Sequence, residues 1–302
     1  MQRYRFWKLD AFTEGSSAGN PAGLVLLAPD QQIDEAAMQR LATEVAGCGY
    51  VAEVAFATPL ADGSLAVRYF SQEREVPFCG HATVAAAYHL LSNVESFRGR
   101  PELRLETQRG SLTAQNRIGA EDCVYIAAPE PAFPDIRVTV DEAARALGLP
   151  PEQIDRSELD ERVEHLPIAE CGQKCLLVPL RSLDAILGCT PDYRTLRSMV
   201  EAKGLAAVVL FSRETHRPER TLRTRVFPPV FGYLEDLATG SGNAALGHWL
   251  RRTRRWTDEH LLIEQGPDHT NPNLVSLRAE PSGQLWIGGR AVARIDGEYL
   301  LH

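Results

Sequence analysis

A segment built around a glycine turn occurs twice in this chain, at Glu75 and again 160 residues later at Glu235. The first copy reads Glu-Val-Pro-Phe-Cys-Gly-His-Ala, and the second reads Glu-Asp-Leu-Ala-Thr-Gly-Ser-Gly. Each copy runs into a stretch of small and apolar residues that is typical of a buried helix. Two halves of this kind can direct the positive ends of two helices at one anionic ligand.

The flanks of the two copies correspond as well. Over the first seventeen positions, 75–91 against 235–251, only four residues are identical. The same two short motifs nevertheless surround both copies in the same order, which favours a duplicated unit over two unrelated helix starts. Arg-x-Phe precedes each copy and a Glu-Gln-Gly signature follows it (Arg68/Phe70 and Arg225/Phe227; Glu106/Gln108/Gly110 and Glu264/Gln265/Gly266).

Length and charge narrow the class of protein. A chain of 302 residues has room for two domains with a core each. Its net charge of −8 argues against a nucleic-acid-binding surface, which normally carries a basic excess. No apolar run is long enough to predict a membrane span, and no basic-then-apolar leader opens the chain. We therefore expect a cytoplasmic protein that binds neither nucleic acid nor membrane.

The six cysteines are scattered along the chain, and only Cys171 and Cys175 lie close together. No second Cys or His pair stands at the spacing of a zinc site. Cysteines in a chain without a secretory signal are usually reduced. The sequence thus predicts no disulfide and no metal.

Periodicity predicts an alternation of strands and helices. The stretch Ala82–Leu91 is apolar nearly all round, which indicates a helix buried on every side by a sheet that curls around it, and Asn243–Leu250 repeats the pattern. The cluster Pro129/Pro131/Pro134 predicts a linker. We expect an N-terminal domain over 1–128 and a C-terminal domain over 129–302, with the last strand able to return to the first domain. The run 19–23 reads as a loop that leads into a strand at Leu24.

Several side chains near the turns can carry chemistry. His81 and Ser241 are equivalent in the repeat, so both can face a ligand, although a lone histidine is more often a packing or capping residue. Cys79 and Thr239 are also equivalent. Two opposed cysteines there would suit a two-base racemase, but a threonine hydroxyl is far too weak an acid for that role.

A carboxylate is then the best remaining base. Glu53 lies in the apolar strand-like run Val51–Phe56, where the charged form is disfavoured in a way that suits proton transfer, although alternation also permits a solvent-facing position. Asp236 can orient His81, hold an amino group or simply complement a helix dipole. Neither a dinucleotide-binding glycine motif nor a P-loop lysine is present.

Over nearly its whole length the chain resembles the phenazine-biosynthesis PhzF-like family, which shares its fold with diaminopimelate epimerase. The matching motifs run in family order, and the two glycine turns together make the resemblance specific. They are Asp10-Ala-Phe-Thr, Gly19-Asn-Pro-Ala-Gly, Arg68-x-Phe, Glu75-Val-Pro-Phe-Cys-Gly-His-Ala-Thr, Leu105-Glu-Thr-Gln, Leu177-Val-Pro-Leu, Arg225-x-Phe-x-Pro, Glu235-Asp and Thr239-Gly-Ser.

The resemblance implies an α+β fold of two similar, pseudo-symmetric domains, each a mixed β-sheet wrapped around a central helix, with the active site between them. It also implies a homodimeric enzyme without cofactor or metal. A glutamate that shuttles a proton falls on Glu53, and the assisting His, Asp and Ser fall on His81, Asp236 and Ser241. The residues implied in binding a small carboxylate substrate are Asn20, Gly80, Gly240 and Gly242.

The surroundings of Glu53 depart from the family pattern. Family members place this glutamate closer to the preceding helix and between hydroxyl residues, whereas here Ala52 and Val54 flank it. Gly47–Tyr50 reads as an insertion of about one helical turn, and the run 267–273 lacks the Gly-Arg-Pro-Ser usual near there. Both differences indicate an altered substrate.

Three hypotheses follow. The leading one is an isomerase that moves a proton within a small, amino-acid-like carboxylate, with Glu53 as the general acid and base. The alternative within enzymes is an amino-acid epimerase or racemase that uses Glu53 and Cys79. The third is a binding or scaffolding protein that keeps the fold without the reaction, since a fold alone does not establish a function.

Overall fold

The computed structural model describes residues 2–28, 30–159 and 165–302. The chain divides into two compact units. Unit 1 comprises Met1–Ala127 together with Gly288–His302, and unit 2 comprises Ala128–Ile287. Within the described ranges, every helix is too short or too polar to span a bilayer.

Unit 1 is built mainly of strands, and each of its elements begins and ends as follows. The strands are β1 Gln2–Ala11, β2 Asn20–Leu26, β3 Glu53–Pro59, β4 Leu65–Ser71, β5 Glu75–Val76, β6 Glu102–Thr107, β7 Gly110–Asn116 and β8 Val124–Ala127, and the helices are α1 Glu35–Ala46, α2 Gly80–Asn93 and α3 Ile118–Glu121. The last strand of the chain, β16 Ala291–Leu301, also lies in this unit and pairs with β1.

Unit 2 carries the remaining elements. Its helices are α4 Val140–Leu147, α5 Leu183–Gly188, α6 Tyr193–Ala202 and α7 Gly240–Arg252, and its strands are β9 Ile168–Glu170, β10 Lys174–Pro179, β11 Ala207–Ser212, β12 Leu222–Phe227, β13 His260–Gln265, β14 Asn273–Ala279 and β15 Leu285–Gly289, which reaches the unit boundary. Short 3-10 turns cover Pro151–Gln153, Arg156–Glu158 and Pro229–Phe231.

The two units repeat one pattern of strand directions. In unit 1, β2 is parallel to β3, β3 is antiparallel to β4, β4 is parallel to β6 and β6 is antiparallel to β7. In unit 2, β10, β11, β12, β13 and β14 follow in the same parallel, antiparallel, parallel, antiparallel series. The prediction of two similar units, each with a mixed sheet, is therefore confirmed.

A single helix lies at the centre of each sheet. α2 contacts β1, β2, β3, β7, β8 and β16, so strands surround it, and α7 contacts β9, β10, β11 and β14. Every residue of Ala82–Leu91 is buried, and so is every residue of Gly242–Leu250. The surface helix α1 buries only Met38, Leu41, Ala42 and Val45. The predicted central helices are confirmed, and both are longer than predicted.

The prediction of a loop over 19–23 is wrong beyond its first residue. β2 begins at Asn20 and pairs with β1 and β3, so the strand includes Pro21 and Gly23. A side chain at Gly23 would come within 2.9 Å of Val54 and 3.2 Å of Phe6. The glycine is thus required by close packing inside a sheet, which composition alone cannot distinguish from a turn.

The central helix of unit 2 contains a histidine whose titration affects stability. His248 is 7% exposed, and burial lowers its pKa from 6.5 to about 4, with a hydrogen bond to the Pro129 backbone acting in the opposite direction. The folded state therefore stays unprotonated where the unfolded chain takes up a proton. Stability from this group is complete above pH 6.5 and is lost as the pH falls towards 4.

We expect this loss to reach about 2 kcal/mol at pH 5, relative to neutral pH. Urea unfolding at pH 7.5 and at pH 5 measures it, with His248→Gln as the variant that removes the titration. The wild type should lose that much more stability than the variant between the two pH values. Equal losses in both proteins would contradict this assignment.

Candidate active site

The central helices begin differently from α1, α4 and α6. The first turns of α1, α4 and α6 are capped by the side chains of Asp34, Thr139 and Asp192. The residues that precede α2 and α7 are Cys79 and Thr239, and neither side chain caps its helix. Threonine often caps a helix through its side chain, but Thr239 does not. The first N–H groups of both central helices therefore need other acceptors, which can include an anionic ligand.

An Arg–Glu pair holds the segment before each turn, and this explains the repeated Arg-x-Phe motif. Nε and Nη2 of Arg68 donate to the two carboxylate oxygens of Glu75 at 2.6 and 2.7 Å. The same atoms of Arg225 donate to Glu235 at 2.8 and 2.7 Å. Alternate residues of a strand share a face, so each guanidinium also lies over its phenylalanine, at 5.1 and 5.0 Å from the ring centre.

The pair in unit 1 is electrostatically strong. The bidentate contact with Arg68 lowers the pKa of Glu75 and raises that of Arg68. The segment that each pair holds also pairs with the arginine strand. In unit 1 the paired residues are Tyr69 with Val76 and Phe70 with Glu75, and in unit 2 they are Val226 with Asp236. Asp236 is therefore placed by the backbone of β12.

In unit 1 the turn brings three reactive side chains together. Glu53 is the first residue of β3, His81 is the second residue of α2, and Cys79 precedes that helix. Nε2 of His81 lies 3.3 Å from Oε2 of Glu53, and Nδ1 lies 3.4 Å from Sγ of Cys79. We call these three residues the unit 1 cluster.

The Glu53 carboxylate of this cluster is partly desolvated. Its side chain is 23% exposed and that of His81 is 14% exposed. Oε2 is fully buried and, within the described residues, has no hydrogen bond, because the His81 ring is close but not aligned to donate to it. A carboxylate oxygen in this setting is available to accept a proton from a substrate.

The Cys79 backbone is fixed from inside the unit. The hydroxyl of Thr83 donates to the carbonyl oxygen of Cys79 at 2.6 Å, and it also shares a 2.7 Å hydrogen bond with the hydroxyl of Tyr69. Burial raises the pKa of Tyr69, so its proton is retained. The turn that presents His81 is thus held by buried neutral groups.

In unit 2 the equivalent turn is held by a larger buried network centred on Gln265. Its Oε1 accepts from the Thr239 N–H at 2.8 Å and from Nδ2 of Asn243 at 2.6 Å. Its Nε2 donates to the Asp236 carbonyl at 2.9 Å and to the Thr239 hydroxyl at 3.0 Å. That hydroxyl in turn donates to the Asp236 carboxylate at 2.5 Å, which ties Asp236 to the start of α7.

Ser241 lies in the first turn of α7. Its Oγ accepts a 2.7 Å hydrogen bond from Nε2 of Gln173, so its own hydroxyl proton can be donated to a ligand. Gly242 packs inward, where a side chain would come within 3.3 Å of Thr239 and 3.4 Å of Val209. Packing alone therefore accounts for the glycine at 242.

Of the remaining predicted residues, Gly240 opens α7 in unit 2, and Asn20 and Gly80 lie in unit 1. Asn20 is buried at the start of β2, directly after Gly19, whose φ of +71° requires glycine. Gly80 opens α2, and a side chain there would meet only Phe78, at 3.9 Å. The protein itself leaves space at Gly80, as close approach of a ligand requires.

The segment interpreted as an insertion, Gly47–Tyr50, forms the turn between α1 and β3. Gly49 and Tyr50 both have left-handed backbone angles, φ of +78° and +60°, and the Tyr50 side chain is 90% exposed. The strain of a non-glycine residue in this region is typical of functional segments. The turn ends three residues before Glu53.

Sequence reasoning missed two residues that support unit 2. Gln265 was recognised only as part of a repeated signature, and Gln173 carried no signal at all. The repeat does hold one clue, because Gly110 and Gly266, which close the two signatures, have φ of +105° and +116°. The conformation is thus duplicated, while the buried glutamine network belongs to unit 2.

A sequence model of the family described as "PhzC-PhzF: Phenazine biosynthesis-like protein" matches residues 9–297. The chain belongs to this family. The matched span includes most of both units, with the unit 1 cluster and the turn of unit 2.

Named relatives place it among isomerases. An "Uncharacterized isomerase" of Deinococcus radiodurans is 32% identical over 97% of this chain and 94% of its own length. "Trans-2,3-dihydro-3-hydroxyanthranilate isomerase" of Pseudomonas fluorescens is 28% identical over 90% of this chain and 89% of its own length. The prediction of an enzyme of a PhzF-like isomerase family is confirmed.

Solved structures agree on the fold. The Bacillus anthracis phenazine biosynthesis protein of the PhzF family superposes with a TM-score of 0.84 at 26% identity, over 100% of both chains. A hydroxyproline epimerase from Agrobacterium vitis shares the fold at a TM-score of 0.58 and 14% identity, over 99% of this chain and 91% of its own. The predicted diaminopimelate epimerase-like fold is confirmed.

The unit 2 network yields a stability prediction. Replacing the fully buried Gln265 by Leu leaves the Thr239 N–H and the Asn243 amide without their acceptor, which should cost on the order of 3 kcal/mol. Gln108→Leu is the matched control, because the glutamine of the unit 1 signature is exposed and its replacement should cost less than about 0.5 kcal/mol. Urea unfolding measures both, and similar costs in the two variants would contradict the assigned role of Gln265.

Proposed function

We propose that the protein is a cofactor-independent isomerase that moves a proton between carbons of a small carboxylate, with Glu53 as the general acid and base. The observation that carries this proposal is the buried, unbonded Oε2 of Glu53 at 3.3 Å from His81, beside the start of α2. A base that must give its proton back is best served by a carboxylate held in place without a permanent hydrogen bond.

In the proposed reaction, Glu53 removes a proton from a carbon next to the substrate carboxylate. The electron pair left behind is shared with that carboxylate and a neighbouring double bond. Glu53 then delivers the same proton to the far end of the conjugated system, so the double bond moves and no atom is gained or lost. The charge that develops in between is stabilised by the amides that follow Gly80 and by a donor nitrogen of His81.

We further propose that the turn of unit 2 takes part in substrate binding. Ser241 and the amides after Gly240 would bind a substrate oxygen, and Asp236 would bind an amino group. This part of the proposal rests on the family resemblance and on the matched, uncapped starts of α2 and α7.

The substrate class follows from the same chemistry. An unsaturated, amino-acid-like carboxylate offers an acidic carbon, a double bond that can move and an amine for Asp236. The Pseudomonas fluorescens relative is named for such a compound. Two features near Glu53 support a substrate that differs from that relative's. Ala52 and Val54 flank Glu53 in place of hydroxyl residues, and the strained Gly49–Tyr50 turn precedes them.

The epimerase alternative is disfavoured by the geometry of unit 1. A racemase with two bases needs them on opposite sides of one carbon, each about 3–3.5 Å from it and so about 6–7 Å apart. The ligand atoms of Glu53, Cys79 and His81 all lie within 4.8 Å of one another. Glu53 and Cys79 are thus too close together to flank a carbon atom.

Proton NMR in deuterated buffer tests the proposal with a panel of unsaturated and cyclic amino acids. The wild type should incorporate deuterium at carbon, and Glu53→Gln should exchange at least about 100-fold more slowly while it still binds the ligand. Glu44→Gln is the matched control, since this exposed glutamate of α1 lies outside the cluster and its loss should leave the exchange rate unchanged.

Two outcomes would contradict the proposal. Equal exchange by wild type and Glu53→Gln would remove Glu53 as the base. Binding of panel members without exchange in either protein would favour the non-catalytic hypothesis. Bound 3-hydroxyanthranilate, an aromatic carboxylate that cannot isomerise, serves as the binding probe in both proteins.

A further inference from the structure

The unit 1 cluster offers one oxygen, one sulfur and one nitrogen of the kinds that bind transition metals. A carboxylate oxygen of Glu53, Sγ of Cys79 and a ring nitrogen of His81 lie within 4.8 Å of one another. Cys79 and His81 lie at the start of α2, and Glu53 is the first residue of β3. The ligand set is therefore held in place by secondary structure.

The two separations from the His81 nitrogen are close to those of a tetrahedral zinc site. With Zn–N near 2.0 Å, Zn–S near 2.3 Å and Zn–O near 2.1 Å, tetrahedral angles require about 3.6 Å between N and S and about 3.4 Å between N and O. Nε2 of His81 lies 3.8 Å from Sγ of Cys79 and 3.3 Å from Oε2 of Glu53. These two separations need to change by only a few tenths of an ångström. The Glu53 oxygen and the Cys79 sulfur lie within 4.8 Å of each other and would have to approach to about 3.6 Å.

We propose that the cluster binds Zn²⁺ or a similar borderline metal ion through Glu53, Cys79 and His81, and that this ion inhibits the enzyme. The buried Oε2 of Glu53, which has no hydrogen bond within the described residues, would gain its missing partner. Three ligands leave a fourth position for water, and the partial exposure of Glu53 and His81 provides the entry path. Binding releases the thiol proton of Cys79, since the thiolate is the ligand.

Inhibition follows because the ion would coordinate the carboxylate oxygen of Glu53. The lone pair of that oxygen could then no longer accept a proton from the substrate. This step rests on the proposed function, whereas the metal site itself does not. The ion is thus an inhibitor that competes with the reaction, and the prediction of catalysis without a metal is unchanged. A soft thiolate in the ligand set favours zinc and cobalt over magnesium or calcium.

Titration of the reduced protein with Co²⁺ tests the site without reference to activity. A Co²⁺–thiolate charge-transfer band should appear at one ion per chain, and added Zn²⁺ should remove it. Cys79→Ser should abolish the band, and Glu53→Gln and His81→Gln should each weaken Co²⁺ binding about tenfold or more. Cys48→Ser is the matched control, because Cys48 is exposed and lies outside the cluster, so the band should persist.

The results separate this proposal from the proposed function. No band in the wild type, or a band that survives in Cys79→Ser but is lost in Cys48→Ser, would overturn the metal site whatever the activity. Circular dichroism establishes that each variant is folded, and His81→Gln replaces Cys79→Ser as the decisive variant if the latter unfolds. Where the exchange assay shows activity, micromolar Zn²⁺ should suppress it and a chelator should restore it; a band without this suppression would overturn the inhibitory role.

Discussion

In both units an arginine of a strand holds, through two parallel hydrogen bonds, the glutamate that precedes the glycine turn. This contact joins the sheet to the first residues of the central helix, and the positions of the candidate site residues depend on it. Exposed and buried ion pairs are poor sources of net stability. Their value here is geometric, because a bidentate pair fixes both the distance and the orientation of the segment it holds.

The central helices make such a contact necessary. Ala82–Leu91 and Gly242–Leu250 are buried throughout, so neither helix can be adjusted by sliding on a solvent-exposed face. Their N-termini are the parts from which polar groups can reach a ligand. The N–H groups at the start of an enclosed helix therefore form a fixed set of donors for a ligand. Their positions depend on the preceding turn, which the Arg–Glu pair holds in place.

The two halves have diverged in how they support their turns. In unit 2, Arg223 of β12 and Glu264 of β13, the residue before Gln265, form a fully buried ion pair. Arg223 also donates to the carbonyl of Gly266 at 2.5 Å. The equivalent positions of unit 1 are Ala66 and the partly exposed Glu106. Unit 2 therefore holds its turn with the larger buried network. In unit 1 the Thr83–Tyr69 pair holds the turn, and the cluster carries an unbonded carboxylate oxygen.

Much of this was predictable from the sequence. The internal repeat and the apolar helix runs gave the two units and their central helices, because burial on all sides leaves a clear pattern. The strand through Pro21 and Gly23 was missed, since close packing in a sheet and a turn select the same residues. Glu53 of a strand and His81 of a helix are 28 positions apart in the chain and lie close together in the structure. Their separation along the sequence does not predict that proximity.

A crystal structure with 3-hydroxyanthranilate bound tests most directly whether the ligand reaches Glu53. A ring carbon should lie about 3–3.5 Å from the carboxylate of Glu53, with the ligand carboxylate at the amides that open α2. A ligand bound at that helix start with Glu53 turned away from it, or one bound elsewhere in the molecule, would contradict the central claim that the glycine turn presents a substrate to this carboxylate.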